Sequence, residues 1–230
     1  MHVNSISRMK WFLDNFVSKT EKKRIKVLDV GSYDMNGSYR HLFVDERFEY
    51  CGMDMVPGPN VDIAMKNPYV WNSIETDTFD LVISGQAFEH AEFFWITMGE
   101  MARVLKKDGL LCIIAPNNFF EHRTPVDCYR FFTDGMVALA RYVSLEVIHA
   151  HTNCAPTAKS TKWFSLNLAD SMLIAKKPYA GATQFVNLET YVCIPPDQER
   201  LRGALVPYQP KFKSILRFLK NLENKFASKL

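Results

Sequence analysis

The sequence predicts an α/β fold, a doubly wound, mostly parallel sheet with helices on both faces. Three observations predict it. From Lys22 onward, short β-branched and apolar runs alternate with stretches of helical spacing, the pattern of βαβ units in a mostly parallel sheet. The first run stops at a glycine, Gly31, which is where such a sheet turns from strand into a ligand-binding loop. The chain has 230 residues, 47% hydrophobic and 23% charged, enough to close one sizeable core.

The first predicted strand is residues 24–30, RIKVLDV. The second is 50–55, stopped by the breaker Pro57-Gly58-Pro59, and a brief third covers 61–64. Residues 79–84 (FDLVIS) and 110–115 (LLCIIA) are the fourth and fifth. Between them, 92–105 has amphipathic helical spacing and a basic end, with Gly109 as the C-terminal glycine. A further helix starts near Thr133 or Asp134, either of which suits its N-cap. Two more apolar runs follow at 145–149 and 171–175.

Composition excludes several classes. There is no internal repeat, no low-complexity tract and no apolar stretch of 18 residues, so the reading is a soluble protein. The N-terminus lacks the apolar run of a signal peptide. The five cysteines are odd in number, scattered and free of any C-x-x-C pair, which predicts a reduced, cytoplasmic chain without a zinc signature. Net charge is +3, too small to argue for nucleic acid. Residues 199–230 carry eight Lys or Arg against two Glu, so a basic tail follows a slightly acidic body.

In an open parallel sheet, ligands sit beyond the carboxyl ends of the strands. The loop after the first strand reads VLDVGSYDMNGSYR, with Gly, Tyr and Asn at 31, 33 and 36 where a dinucleotide site wants three glycines. Asp29 would also repel a diphosphate, so a cationic ligand suits the loop better. VLDVG, the acidic residue in GMDM, FDLVISGQAFEH and LKKDGLLCIIAPN together resemble the class I S-adenosylmethionine-dependent methyltransferases, of the small-molecule and sugar-modifying bacterial type. The resemblance runs from about Lys22 to Lys177 and implies a Rossmann-like methyltransferase domain of the seven-stranded type over residues 1–178, with a C-terminal extension at 179–230.

The resemblance implies S-adenosylmethionine as cofactor and S-adenosylhomocysteine as product. Asp29 and the loop of Gly31, Ser32, Tyr33 and Gly37 would hold the methionine end. Asp54, with Met55 beside it, would accept from both ribose hydroxyls, a task for two carboxylate oxygens. Asn67 is the polar candidate at the adenine, and Gln86 lies in the loop after the fourth strand. The chain departs from the family in having Tyr33 where a further glycine is usual, with Gly37 supplying flexibility.

Methyl transfer to a hydroxyl needs positioning and a base. Glu89-His90 after the fourth strand and Glu121-His122 after the fifth each set a carboxylate beside an imidazole. His122 is the first candidate base; His90 either serves as base or packs against the cofactor loop. Arg123, Asp127, Tyr129 and Arg130 are candidates for binding the acceptor, the arginines either gripping a phosphate or carboxylate or pairing locally with Glu121 or Asp127. No metal-ligand spacing occurs, and no metal is assigned; a magnesium ion among these groups is the lesser option.

Residues 211–230 are apolar at 212, 215, 216, 219, 222, 226 and 230, with Lys213, Arg217 and Lys220 opposite. This predicts a basic amphipathic helix, which fits packing on the body or a homodimer, peripheral contact with the inner membrane face, or a protein partner. Residues 192–194 read as an edge strand. The expected activity is O-methylation of a small acceptor, a sugar or a phosphorylated or nucleotide-linked precursor of surface polysaccharide. A non-catalytic cofactor-binding scaffold and a nicotinamide-dependent oxidoreductase are the alternatives.

Overall fold

The computed structural model describes residues 3–18, 20–152 and 169–189. Seven strands make one mixed sheet: β1 (Ile25–Val30), β2 (Phe48–Asp54), β3 (Ile63–Ala64), β4 (Phe79–Gly85), β5 (Leu105–Asn118), β6 (Glu146–Thr152) and β7 (Ala169–Lys176). Their order is β3-β2-β1-β4-β5-β7-β6. β1 to β5 run parallel, and β7 is antiparallel to both its neighbours. Each of the seven predicted runs contributes a strand, and the order reverses between β1 and β4, where a ligand crevice opens.

Alternation along the strands divides the core into two. Leu28, Val82, Leu111, Ile113 and Leu173 face α2 (Phe94–Val104) and α3 (Thr133–Tyr142). Val27, Leu81, Ile83, Cys112 and Ile174 face α1 (Val3–Phe12) and the π-helical turn Leu13–Val17 that continues it. α1 buries Ser5, Arg8, Met9 and Phe12, one stripe at helical spacing. Arg8 is fully buried because Asp170 of β7, equally buried, stands 3.4 Å from its Nε.

The first three crossovers differ from the expectation of helices throughout. β1 and β2 are joined by a chain whose only helical turn is the 3₁₀ segment Arg40–Leu42, and no helix separates β2, β3 and β4. Pro57, Gly58 and Pro59 interrupt the segment between β2 and β3, and Pro68 the one between β3 and β4. Trp71 and Ile74 fill the space instead, both buried in the core beside Met98 and Met101. Arg103 of α2 ties them down, donating to the carbonyls of Ile74 and Trp71 at 2.8 and 3.0 Å.

Two predicted boundaries move. α2 ends at Val104, and it is Asp108, not Gly109, that takes a positive φ of 63°. Lys106 and Lys22 both pair with Asp80, which draws the segment after α2 into the sheet as the start of β5. At α3 the N-cap residue is Phe132, and the Thr133 hydroxyl instead shares a hydrogen bond with Thr152 at 2.8 Å.

Lys177 closes the base of the sheet. Its fully buried ammonium donates to Asp77 at 2.7 Å and to the carbonyls of Leu105 and Gly181 at 2.8 Å. Beyond the predicted boundary at 178 the chain still lies on the body: Tyr179 donates to the Val143 carbonyl at 2.7 Å, and Phe185 packs on Tyr142. The predicted edge strand at 192–194, the basic helix at 211–230, Cys154 and Cys193 lie outside the described residues. Among the described residues no helix is long and apolar enough to cross a membrane.

Candidate active site

A cavity of about 960 Å³ opens at the carboxyl ends of β1, β2, β4 and β5. That volume is at the upper end for a small-molecule site and leaves room for two ligands side by side. Of the residues proposed from sequence, Gly31, Tyr33, Gly37, Asp54, Met55, Gln86, Glu89, His90 and His122 line it.

Gly31 ends β1 with φ 77°, and a Cβ there would stand 2.3 Å from the Cβ of Ala87. Only glycine lets the β1 and β4 loops meet so closely. Beyond it the first loop is laced to the β2–β3 loop. Asn60 accepts from the Ser32 hydroxyl at its carbonyl, 3.0 Å, and its amide donates back to the Ser32 carbonyl at 2.7 Å. Arg40 donates to Asn60 and Asp62. Asp54, at the tip of β2, accepts the Tyr33 N–H on one oxygen at 3.0 Å and the Met55 N–H on the other at 2.7 Å. Each oxygen keeps acceptor capacity toward the cavity.

Three proposed cofactor residues lie off the cavity wall. Asp29 is buried on the α1 face, where Tyr50 donates its hydroxyl to it; burial pushes its carboxyl up to about 7. The pleat explains this, because Asp29 shares its face with Val27. Ser32 is buried in the lacing just described. Asn67 turns back on its own loop, accepting the Tyr69 N–H at 2.9 Å. Met65, Pro68, Tyr69 and Trp71 line this end of the cavity in its place.

Gln86 has a positive φ of 57°, an uncommon backbone state for a residue with a side chain. Its N–H donates to the Ile114 carbonyl at 2.9 Å and its amide to Asp170 at 3.1 Å. Asp170 therefore joins the cavity wall, a residue that sequence reasoning passed over. The signal was present as a carboxylate directly ahead of the apolar run at 171–175, a poor position for one unless it is paired.

The other end of the cavity holds Glu89, His90 and His122. Glu89 and His90 sit on the 3₁₀ turn Phe88–His90 after β4, and His122 on the loop after β5. The Glu89 carbonyl accepts from the Cys128 N–H at 2.7 Å, so the two loops are joined. The imidazoles of His90 and His122 meet edge to face, 5.0 Å between centroids. Glu89 is 1% exposed, and burial pushes its carboxyl up to about 8.

Behind His122 stands a clamp. Asp127 takes both guanidinium nitrogens of Arg130 and also accepts the His122 N–H at 2.7 Å. The Arg130 hydrogen bonds hold Asp127 well below the usual carboxylate range. Arg130 also donates to the carbonyls of Phe120 and Tyr129, so its terminal nitrogens are spent within the loop. Tyr129 donates to the Glu92 carbonyl at 2.9 Å. Arg123 is exposed and pairs with Glu121 at 2.7 Å. None of these four lines the cavity: the structure shows local pairing for both arginines.

The fold and site can be set against known proteins. Residues 7–159, more than half of the chain, match the family described as a methyltransferase domain. No curated protein matches the chain. Similar solved structures include the Burkholderia thailandensis 1,6-didemethyltoxoflavin-N1-methyltransferase, which holds S-adenosylhomocysteine. It is 15% identical, with TM-score 0.54 over 75% of this chain and 78% of its own. An S-adenosylmethionine-dependent methyltransferase from Archaeoglobus fulgidus is 16% identical, TM-score 0.54, over 75% and 95%. The [4+2]-cyclase SpnF is 12% identical, TM-score 0.54, over 74% and 80%. At these identities the structures share the fold alone. The family match carries the rest: this chain belongs to the class I S-adenosylmethionine-dependent methyltransferases, with S-adenosylmethionine as its cofactor.

Proposed function

We propose that the chain methylates an oxygen of a small acceptor, a sugar or a phosphorylated or nucleotide-linked sugar precursor of surface polysaccharide. The observation that supports this reading is the layout of the cavity lining: Asp54 stands at the tip of β2, and Glu89, His90 and His122 on the loops after β4 and β5, across β1 in the strand order. Asp54 would accept from the ribose hydroxyls, the backbone from Gly31 to Gly37 would hold the methionine end, and Tyr69 and Met65 would flank the adenine. S-adenosylmethionine held in this way would supply an electrophilic methyl to an acceptor bound near the two imidazoles.

A hydroxyl acceptor must lose a proton as it is methylated, and this corner can take it. The acceptor oxygen attacks the methyl carbon while the carbon–sulfur bond breaks and its electron pair stays on sulfur, giving S-adenosylhomocysteine. The hydroxyl proton passes to His122 at Nε2, because its Nδ1 faces the Phe120 carbonyl and Asp127, both acceptors. Arg123, exposed on the same loop and paired with Glu121, would have to leave that pair to meet an acceptor phosphate. The scattered cysteines support a cytoplasmic setting for such an enzyme.

The test is turnover with S-adenosylmethionine across free sugars, sugar phosphates and nucleotide sugars, followed by mass spectrometry. The expected product carries one added methyl on a hydroxyl, and His122→Ala slows its formation by about 100-fold or more. Methylation of amines alone would overturn the oxygen assignment. Cofactor binding without turnover on any acceptor would identify a non-catalytic binder.

A further inference from the structure

We propose that Glu89, His90 and His122 bind a divalent first-row transition-metal ion at the acceptor end of the cavity. One ligand atom from each of the three lies within 4.8 Å of the others, and all three line the same wall. Two imidazoles and one carboxylate are a ligand set for zinc, cobalt, iron or manganese; magnesium prefers oxygen alone. Around an ion, cis ligands lie about 3 Å apart. His90 Nε2 and Glu89 Oε1 already stand 3.7 Å from each other.

The hydrogen bonding behind the imidazoles fits this use. His90 Nδ1 meets the Val126 carbonyl, and His122 Nδ1 meets the Phe120 carbonyl at 3.1 Å and Asp127 at 3.2 Å. Carbonyl and carboxylate oxygens only accept, so both Nδ1 atoms carry the proton and both Nε2 atoms are free to ligate. Metal-binding histidines are oriented in this way, through the nitrogen that does not ligate. Glu89 supplies an independent observation: its Oε2 is buried and has no hydrogen-bond partner among the described residues. A buried carboxylate oxygen left in that state is costly, and a cation beside it removes the cost.

The three groups leave positions open toward the cavity, so the ion would receive an acceptor oxygen and lower its pKa. Its use in turnover rests on the methyltransferase reading above, whereas its binding does not. With the ion in place His122 Nε2 is a ligand and cannot also take the proton, so the hydroxyl proton leaves to water; the base role given to His122 above belongs to the metal-free enzyme.

The test is titration of the cofactor-free protein with Co²⁺ alone, read by visible absorption, and with Zn²⁺ by competition. One cobalt per chain is expected, with bands of nitrogen and oxygen ligation. His122→Ala and Glu89→Gln each weaken it by about 10-fold or more, and Asp127→Asn, which only orients His122, by about 10-fold. His41→Ala and Cys128→Ser, at exposed positions, leave it unchanged. S-adenosylhomocysteine affinity, measured on the same samples, shows that each variant is folded and reports the methyltransferase reading separately. No cobalt binding, or binding indifferent to His122 and Glu89, would overturn the proposal.

Discussion

The rim of the cavity built on β1 and β2 is held by hydrogen bonds between short loops, whereas the rim built on β4 and β5 is held by aromatic packing and a bidentate ion pair. On the first, the side chains of Asn60 and Asp54 are the hubs, and they bind backbone groups of the neighbouring loop. On the second, Phe94 packs edge to face on Tyr129 and Phe131, and Asp127 and Arg130 clamp the loop that carries His122. The first rim fixes its backbone through a few polar side chains, so a change at Asn60 or Asp54 is felt there as much as a change of backbone. The second is held side chain to side chain on a longer loop, the kind of place where specificity varies.

Substitutions separate the two. Gly31→Val should have the largest effect, because it sets a branched side chain against Ala87 in a left-handed conformation. A loss of about 3 kcal/mol or more is expected in chemical denaturation, with cofactor binding abolished. Asp127→Asn should cost about 1–3 kcal/mol by removing the charge from a buried, multiply bonded group. Cofactor affinity should be unchanged in the same sample; a parallel loss would mean that the rims are not independent.

Asp29→Asn tests whether the buried carboxylate beneath the first rim is structural. Its folded pKa of about 7 lies above the unfolded value of 3.8, so the folded state holds the proton more tightly. The stability it contributes is full below the unfolded pKa and is lost as pH rises through 7. Relative to the wild type, the Asn variant should therefore gain about 2 kcal/mol between pH 5.5 and 7.5. Urea denaturation at the two pH values measures this, and equal pH dependence in both proteins would refute it. Arg123→Ala should have the smallest effect: an unchanged melting temperature, and a KM for a phosphorylated acceptor raised about 2–5-fold.

The sheet was legible because its strands are dense in β-branched residues and end at clear breakers. α1 was not, since its buried stripe includes Ser5 and Arg8, and burial of an arginine makes sense only once β7 brings Asp170 to it. Asp29 and Asp54 look alike in sequence, each an acid near the end of a strand. The pleat and Tyr50 turn the first inward, while the second caps its strand at the cavity. Glu89-His90 and His122 were legible as local doublets. Their convergence was not, because it depends on the parallel pairing of β4 with β5 that brings their loops side by side.

If Asp54 marks the cofactor end of this cavity, S-adenosylhomocysteine binding must depend on its carboxylate. Calorimetric titration of S-adenosylhomocysteine into the wild type and Asp54→Ala measures that dependence. Micromolar binding, about −8 kcal/mol, is expected for the wild type, with an affinity about 100-fold weaker in the variant. Equal affinity in the two proteins, or no binding to the wild type, would contradict it.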